Sequence, residues 1–364
     1  MMISDSTPYI SPTGTLRVKR IAVVRALQLG DLLVAVPALR TLRSRFPEAE
    51  VTLIGLPWAA SFAQRFSRYI DRFAEFPGWP GIAEAPFQAE RARRFLDDQQ
   101  AYGYDLVIQM HGSGGASNPF ALALGGRVTI GYAQGEQPTG LSMSAPYPDN
   151  EHEAMRNLGL LRLLGCDTRD TRLEFPLTAA DQGEARTLLK PLRESAGDAP
   201  LIGIHAGARA SSRRWPSESF AVVADTLARD EGARIVLTGA PDEAAVVAEV
   251  ARAMRYPALD LAGKTTLGGL AALINQLDLF ISNDTGPAHV AHAVGAPSVT
   301  IFGPADPRRW APLDTERHSV VRRPVACSPC GYRDCPIDHR CLRLVTPAMT
   351  LAAARRHLRK GAIA

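Results

Sequence analysis

The sequence predicts an α/β protein made of two doubly wound parallel-sheet domains with a cleft between them, and three observations carry that expectation. Short apolar runs such as IAVV (21–24) and LFIS (279–282) alternate with amphipathic stretches of helical length along the whole chain. The runs are continuously apolar rather than alternating, as in strands covered on both faces. Several of them end in polar, glycine- or proline-bearing turns that open a helix, which is where such sheets gather ligands.

In chain order, residues 1–18 hold Ser, Thr, Pro and Gly without a sustained apolar block. They are expected to form a disordered leader rather than a signal peptide. An N-terminal domain over 19–180 starts with a strand at 20–24 and a helix at 31–45. Strands at 51–54, 106–110 and 128–131 follow, with a proline-rich surface loop at 77–86 and a closing helix at 153–164. Residues 173–177 lead into an expected linker at 178–200. The second domain, 181–345, restarts with a strand at 201–205, a helix at 217–230 and a strand at 234–238. A helix at 241–254, a strand at 259–261 and a helix at 266–276 complete its middle. The stretch ISNDTGPAHVAHAVGAPSVTIFGPADP (281–307) then reads as strand end, sharp turn, short helix, strand and exit loop. A basic helix at 346–364 is expected to pack back on the N-terminal domain.

With 364 residues the chain is long enough for two ordinary cores. Its 46% hydrophobic and 21% charged content is that of a water-soluble globular protein. No apolar run approaches the ~20 residues that span a bilayer, so a cytoplasmic address is expected. Aromatic residues interleaved with basic ones are missing, which argues against a nucleic-acid surface. From Arg308 to the end there are twelve Arg/Lys against four Asp/Glu. That excess suits an anionic membrane surface, a phosphorylated acceptor or a solvated helix face. Cys327, Cys330, Cys335 and Cys341 cluster in a spacing closer to a metal loop than to a disulfide framework, yet without two separated C-x2-C knuckles. A loop of reduced thiols is the expectation.

Five strand-end turns carry the candidate chemistry. Asp31, in LGD after the first strand, is either a capping carboxylate or a general base facing the cleft. No G-x-G-x-x-G occurs there, so a dinucleotide is not expected at that strand. The turn HAGARASSRRWP (205–216) combines Ser211 and Ser212 with Arg209, Arg213 and Arg214. Such hydroxyls, backbone N–H groups and guanidinium forks can hold a diphosphate and its developing charge. Trp215 is expected to pack. In TGAPDE (238–243), Asp242 or Glu243 can accept from a ribose or a base edge. In the 281–307 stretch, Asp284, Thr285 and Gly286 surround a helix N-terminus, a geometry suited to an anion. His289 and His292 are expected to be structural. HGSGGASNPF (111–120) is not a P-loop and is expected to be a flexible acceptor-side loop.

In this order, IAVVRALQLGDLLVAVPALRTLRSRFPEAEVTLI, YDLVIQMHG, RRWP, LTGAPDE, LAGKTTLGGLAALINQLDLFISNDTGPAHVAHAVGAPSVTIFGPADP and CSPC…CL resemble glycosyltransferase family 9, the heptosyltransferases of lipopolysaccharide core assembly. The resemblance implies the GT-B fold, two Rossmann-like domains facing across a cleft. It implies inverting sugar transfer, plausibly of heptose from ADP-heptose, with no required cofactor and no metal. The partners it implies are a nucleotide-diphosphate sugar and a lipid-linked glycan acceptor, with peripheral contact at the cytoplasmic face of the inner membrane. On it, Asp31 matches the acceptor base. Asp284 matches a sugar-contacting acid, Thr285 and Gly286 lie at the diphosphate, and Glu243 matches the nucleoside acid. Ala208–Ala210 offers no hydroxyl where some relatives have threonines; Ser211 and Ser212 are expected to substitute, and Arg209 joins the donor site on the reading of its turn. Arg213 stands where many members have lysine, which keeps the charge and changes a point donor to a fork. Two other readings stay open: a nucleotide-sugar 2-epimerase of the same fold, and a catalytically silent sugar-nucleotide-binding protein.

Overall fold

The computed structural model describes residues 9–11, 14–135, 140–197 and 199–361. Of the expected leader, residues 1–8, 12 and 13 lie outside the described residues. The strands β1 (Tyr9–Ser11) and β2 (Gly14–Leu16) pair as an antiparallel ribbon, where a disordered leader was expected. The chain divides into two compact units after Arg172, a little before the expected boundary.

The first unit is a six-stranded parallel sheet of β3 (Arg20–Val24), β4 (Glu50–Gly55), β5 (Arg72–Glu75), β6 (Leu106–Gln109), β7 (Val128–Ala133) and β8 (Met143–Pro146), in the order β5-β4-β3-β6-β7-β8. Its helices are α1 (Leu29–Leu33), α2 (Val36–Arg45), α3 (Ala59–Arg65), α4 (Ala89–Tyr102), α5 (Ser117–Ala123) and α6 (Glu153–Arg162). The expected 31–45 helix is therefore two: α1 ends at Leu33, and Pro37 restarts the chain in the first turn of α2, where its missing N–H costs nothing. Ala22, Val24, Ile54 and Val107 bury one face of the sheet with Phe76 and Phe120, whose rings meet edge-to-face at 5.0 Å.

The second unit repeats the plan. Strands β9 (Leu201–His205), β10 (Arg234–Thr238), β11 (Ala258–Asp260), β12 (Leu279–Asn283), β13 (Ser298–Phe302) and β14 (His318–Arg322) lie parallel in the order β11-β10-β9-β12-β13-β14. Helices α7 (Ala179–Ala196), α8 (Ser217–Asp230), α9 (Ala244–Ala253), α10 (Leu267–Asn275), α11 (Gly286–Val294), α12 (Pro307–Trp310), α13 (Arg340–Arg343) and α14 (Pro347–Gly361) complete it. The expected linker at 178–200 is mostly α7, begun by a reciprocal capping box between Thr178 and Asp181. The C-terminal helix packs within the second unit. Ala353 and Ala354 of α14 belong to the second unit's core, and Arg355 pairs with Asp230 at 2.7 Å and Glu231 at 2.9 Å on α8 and its C-cap. Two apolar residues in one turn decide that docking; the basic residues only line it.

Numbered within each unit, both sheets run 3-2-1-4-5-6, the dinucleotide-fold order. Both therefore reverse direction between their first and fourth strands. Those reversal points, β3/β6 and β9/β12, are where a ligand crevice is expected. Among the described residues, no helix is long and apolar enough to cross a membrane.

Candidate active site

At the first reversal point, Val24 of β3 lies beside Gln109 of β6, and the chain leaves both strands there. Asp31 sits half-buried in the first turn of α1, and its Oδ2 accepts from the Gln28 N–H at 3.1 Å. The capping role is thus real, and it occupies one of about four acceptor positions on the carboxylate. Beneath the turn lies Arg25, only 2% exposed. Its Nε donates to the Asp31 carbonyl at 2.8 Å, and Nη1 donates to the Met110 carbonyl and to Asn157 Oδ1. Burial lowers the guanidinium's pKa, and the charges of Asp31 and Glu153 oppose that shift. Sequence reasoning missed Arg25. The available signal was a lone charge at the end of a buried strand, since arginine is almost never fully buried unless paired.

The HGSGGASNPF segment is not the flexible loop expected. Residues from Ser117 onward form α5, whose Asn118 accepts from Gln109 Nε2 at 2.8 Å and donates to the Tyr132 carbonyl at 2.8 Å. Gly114 has φ 104°, and a Cβ there would collide with the Tyr132 carbonyl and Asn118. His111 is buried with Nε2 3.7 Å from Glu84 Oε2, and the nearby imidazole holds the Glu84 carboxyl below its usual value despite partial burial.

At the second reversal point Asn283, the last residue of β12, ties the crevice together. Its Nδ2 donates to the Ala206 carbonyl at 2.7 Å and its Oδ1 accepts from the Trp215 N–H at 3.0 Å. Trp215 packs as expected, with Nε1 donating to the Val345 carbonyl at 2.9 Å. Asp284 is 3% exposed, and Arg213 Nη1 lies 3.5 Å from its Oδ2. The Arg213 side chain remains 41% exposed, so its fork faces outward as well as toward Asp284. Thr285 is the N-cap of α11 with extended backbone and makes no capping bond through its hydroxyl; Gly286 and Pro287 follow. Gly295 ends α11 at φ 71°. His289 is buried and His292 half-buried, their rings 5.6 Å apart, as structural residues would be.

Four other residues assigned to this site divide sharply. Arg209 is exposed. The hydroxyls of Ser211 and Ser212 donate to Asp334 Oδ1 and, at 2.6 Å, to the Tyr332 carbonyl. A hydroxyl has one proton to give, so neither donates to a diphosphate while it holds the 332–334 segment. Glu243 is fastened as well: Oε2 accepts from the Ala240 N–H at 2.8 Å and lies 3.4 Å from His205 Nε2. Burial would raise its pKa, but His205, the Ala240 N–H and Arg214 together leave it below the usual value. Gly207 is required here, because a Cβ would run into the Glu243 carboxylate. The thiols of Cys327, Cys330, Cys335 and Cys341 are free. Among the described residues, no group of three or more His, Cys, Asp or Glu is placed to hold a metal ion.

Two dinucleotide-fold units, one with a carboxylate at its reversal point and the other with arginines around a helix N-terminus, are the GT-B architecture, and which of its enzymes this is comes from the family match. The pattern of glycosyltransferase family 9 (heptosyltransferase) matches residues 92–340, and the chain belongs to that family. It is 25% identical to lipooligosaccharide heptosyltransferase 2 of Campylobacter jejuni, covering 92% of this chain and 96% of that one. It is 27% identical to lipopolysaccharide heptosyltransferase 1 of Escherichia coli K12 over 79% of this chain and 89% of the relative. A family 9 glycosyltransferase structure from Veillonella parvula superposes with a TM-score of 0.79 at 24% identity, covering 95% and 98% of the two chains. E. coli ADP-heptose lps heptosyltransferase II gives 0.71 at 22% identity, covering 94% and 99%. A putative UDP-N-acetylglucosamine 2-epimerase from Listeria monocytogenes shares only the fold, at 0.51 and 14% identity, covering 94% and 88%. Family membership supports the transferase and not the epimerase.

Proposed function

We propose that this protein moves a heptose from ADP-heptose to a hydroxyl of a lipopolysaccharide-core or related glycan acceptor, inverting the anomeric centre. The observation that carries the reading is the second reversal point, where the buried Asp284 and the outward-facing Arg213 meet the N-terminus of α11 in a chain of the heptosyltransferase family. Asp31 takes the acceptor hydroxyl proton. The acceptor oxygen bonds to the anomeric carbon as that carbon's bond to the diphosphate oxygen breaks, and ADP departs with the electron pair. Arg213, Arg209 and the first-turn N–H groups of α11, with Thr285 and Gly286 at its start, meet the leaving charge. Asp284 contacts the donor sugar, and Glu243, oriented by His205, contacts the nucleoside. With that cationic donor set the reaction needs no added metal, so transfer is expected to survive chelation by EDTA. The acceptor is lipid-linked, and the basic C-terminal region, with twelve Arg/Lys against four Asp/Glu, supports peripheral contact with an anionic inner-membrane surface.

The test is Asp31→Ala assayed with ADP-heptose and a deacylated, heptose-free lipopolysaccharide core oligosaccharide. Transfer is expected to fall by about 10³-fold while ADP-heptose affinity survives. An equal loss of donor affinity would overturn the base assignment. A wild-type protein that binds the donor but transfers to no acceptor would instead support a silent binding protein.

A further inference from the structure

Resting on the proposed role of Asp31, we infer that Arg25 is a positioning residue for it, with Asn157 as its second brace. The helix that carries Asp31 is held at two of its carbonyls. Arg25 Nε donates to the Asp31 carbonyl at 2.8 Å. Asn157 Nδ2 donates to the Val34 carbonyl at 3.2 Å, just past the end of α1. The two braces are joined, because Arg25 Nη1 donates to Asn157 Oδ1 at 3.0 Å. Arg25 also reaches across the crevice floor to the Met110 carbonyl, beyond β6, and its own N–H donates to the Ile54 carbonyl at 3.0 Å. Asn157 is fixed in turn by donating to the Glu153 carbonyl at 2.9 Å inside α6.

One planar cation thus ties α1, the end of β6 and α6 at the point where the sheet reverses, and only a guanidinium offers donors in the directions required. A buried arginine is not needed to fill this core, and burying one costs several kcal/mol before its bonds are counted. What its bonds fix is the backbone of the residue that bears the proposed base. A proton acceptor displaced by about 1 Å costs on the order of 10²-fold in rate.

The experiment compares Arg25→Met, Arg25→Lys and Asn157→Ala with wild type in steady-state transfer from ADP-heptose to the deacylated, heptose-free core oligosaccharide, with thermal melts of each. Arg25→Met is expected to lower kcat about 10²-fold with KM for ADP-heptose within about twofold. Arg25→Lys keeps the charge and is expected to recover kcat to within about tenfold of wild type, short of full rate because an ammonium cannot bridge all three elements. Asn157→Ala is expected to lose about tenfold in kcat, again at unchanged donor KM. A folded Arg25→Met enzyme with wild-type kcat, or one whose donor KM rises in step with its loss of rate, overturns the inference. If Arg25→Met does not fold, an Asn157→Ala enzyme with wild-type kcat overturns it equally. An active wild type with indifferent variants sinks this inference alone; an inactive wild type sinks the transferase reading with it.

Discussion

At the reversal point of the first sheet the cation lies inside and the anion nearer the mouth: Arg25 is shut away while Asp31 is half-buried at a helix start. At the reversal point of the second sheet the order is inverted. Asp284 and Glu243 are buried, and Arg213 and Arg209 face outward. Strand order and parallel register are the same in both units. With topology held constant, the two crevices differ in the depth at which each charge is placed. On the proposed assignment, the inner cation of the first unit keeps the half-buried Asp31 ionised, the form a base needs, and the outward guanidinium groups of the second unit are the ones that meet a diphosphate.

The largest effect expected from perturbing this contrast is at Gly207. A Gly207→Ala side chain would strike the Glu243 carboxylate and separate it from His205. Loss of about 3 kcal/mol of stability is expected, read as a fall in denaturation midpoint. Wild-type stability would show that the inner anion is not fixed by this pair.

Acid should weaken the second unit next. Burial lowers the His318 pKa from the usual 6.5 to about 4, and its Nδ1 is bonded to Ser298 Oγ at 2.9 Å. The folded state keeps this imidazole neutral while the unfolded chain takes up a proton, so stability is complete above pH 6.5 and falls as pH drops toward 4. The loss is on the order of 3 kcal/mol, and His318→Asn should flatten that part of the stability–pH curve. An unchanged acid slope in His318→Asn would show that other groups cause it.

The smallest effect belongs to the serines. Ser211→Ala and Ser212→Ala should each cost about 1 kcal/mol in stability by releasing the 332–334 segment, with ADP-heptose affinity within about twofold of wild type. A drop in donor affinity of tenfold or more in either would restore them to the diphosphate site.

Much of this contrast was legible in the sequence. Strands 20–24, 201–205 and 234–238 announced themselves as continuous apolar runs, and the helix at 217–230 by its period. The turns bearing Asp31, Arg213 and Asp284 were found because each follows such a run. What was not legible has a common physical cause, since it depends on partners distant in the chain. Nothing local to Ser211 and Ser212 shows that residues 332–334 take their hydroxyl protons. Arg25 drew no attention because its partners are Asp31, Met110 and Asn157, the last 132 positions away. The α7 helix was read as a linker because Gly183 and Pro191 weaken its pattern, while its packing against α10 outweighs their propensity.

Titration of ADP into Asp31→Asn and Arg213→Gln protein tests the division of labour most directly. Asp31→Asn is expected to bind ADP within about twofold of wild type, and Arg213→Gln to lose about tenfold, the worth of one charge-assisted pair to a diphosphate. Loss of ADP binding in Asp31→Asn, or its retention in Arg213→Gln, would contradict the assignment of the proton to the first unit and the diphosphate to the second.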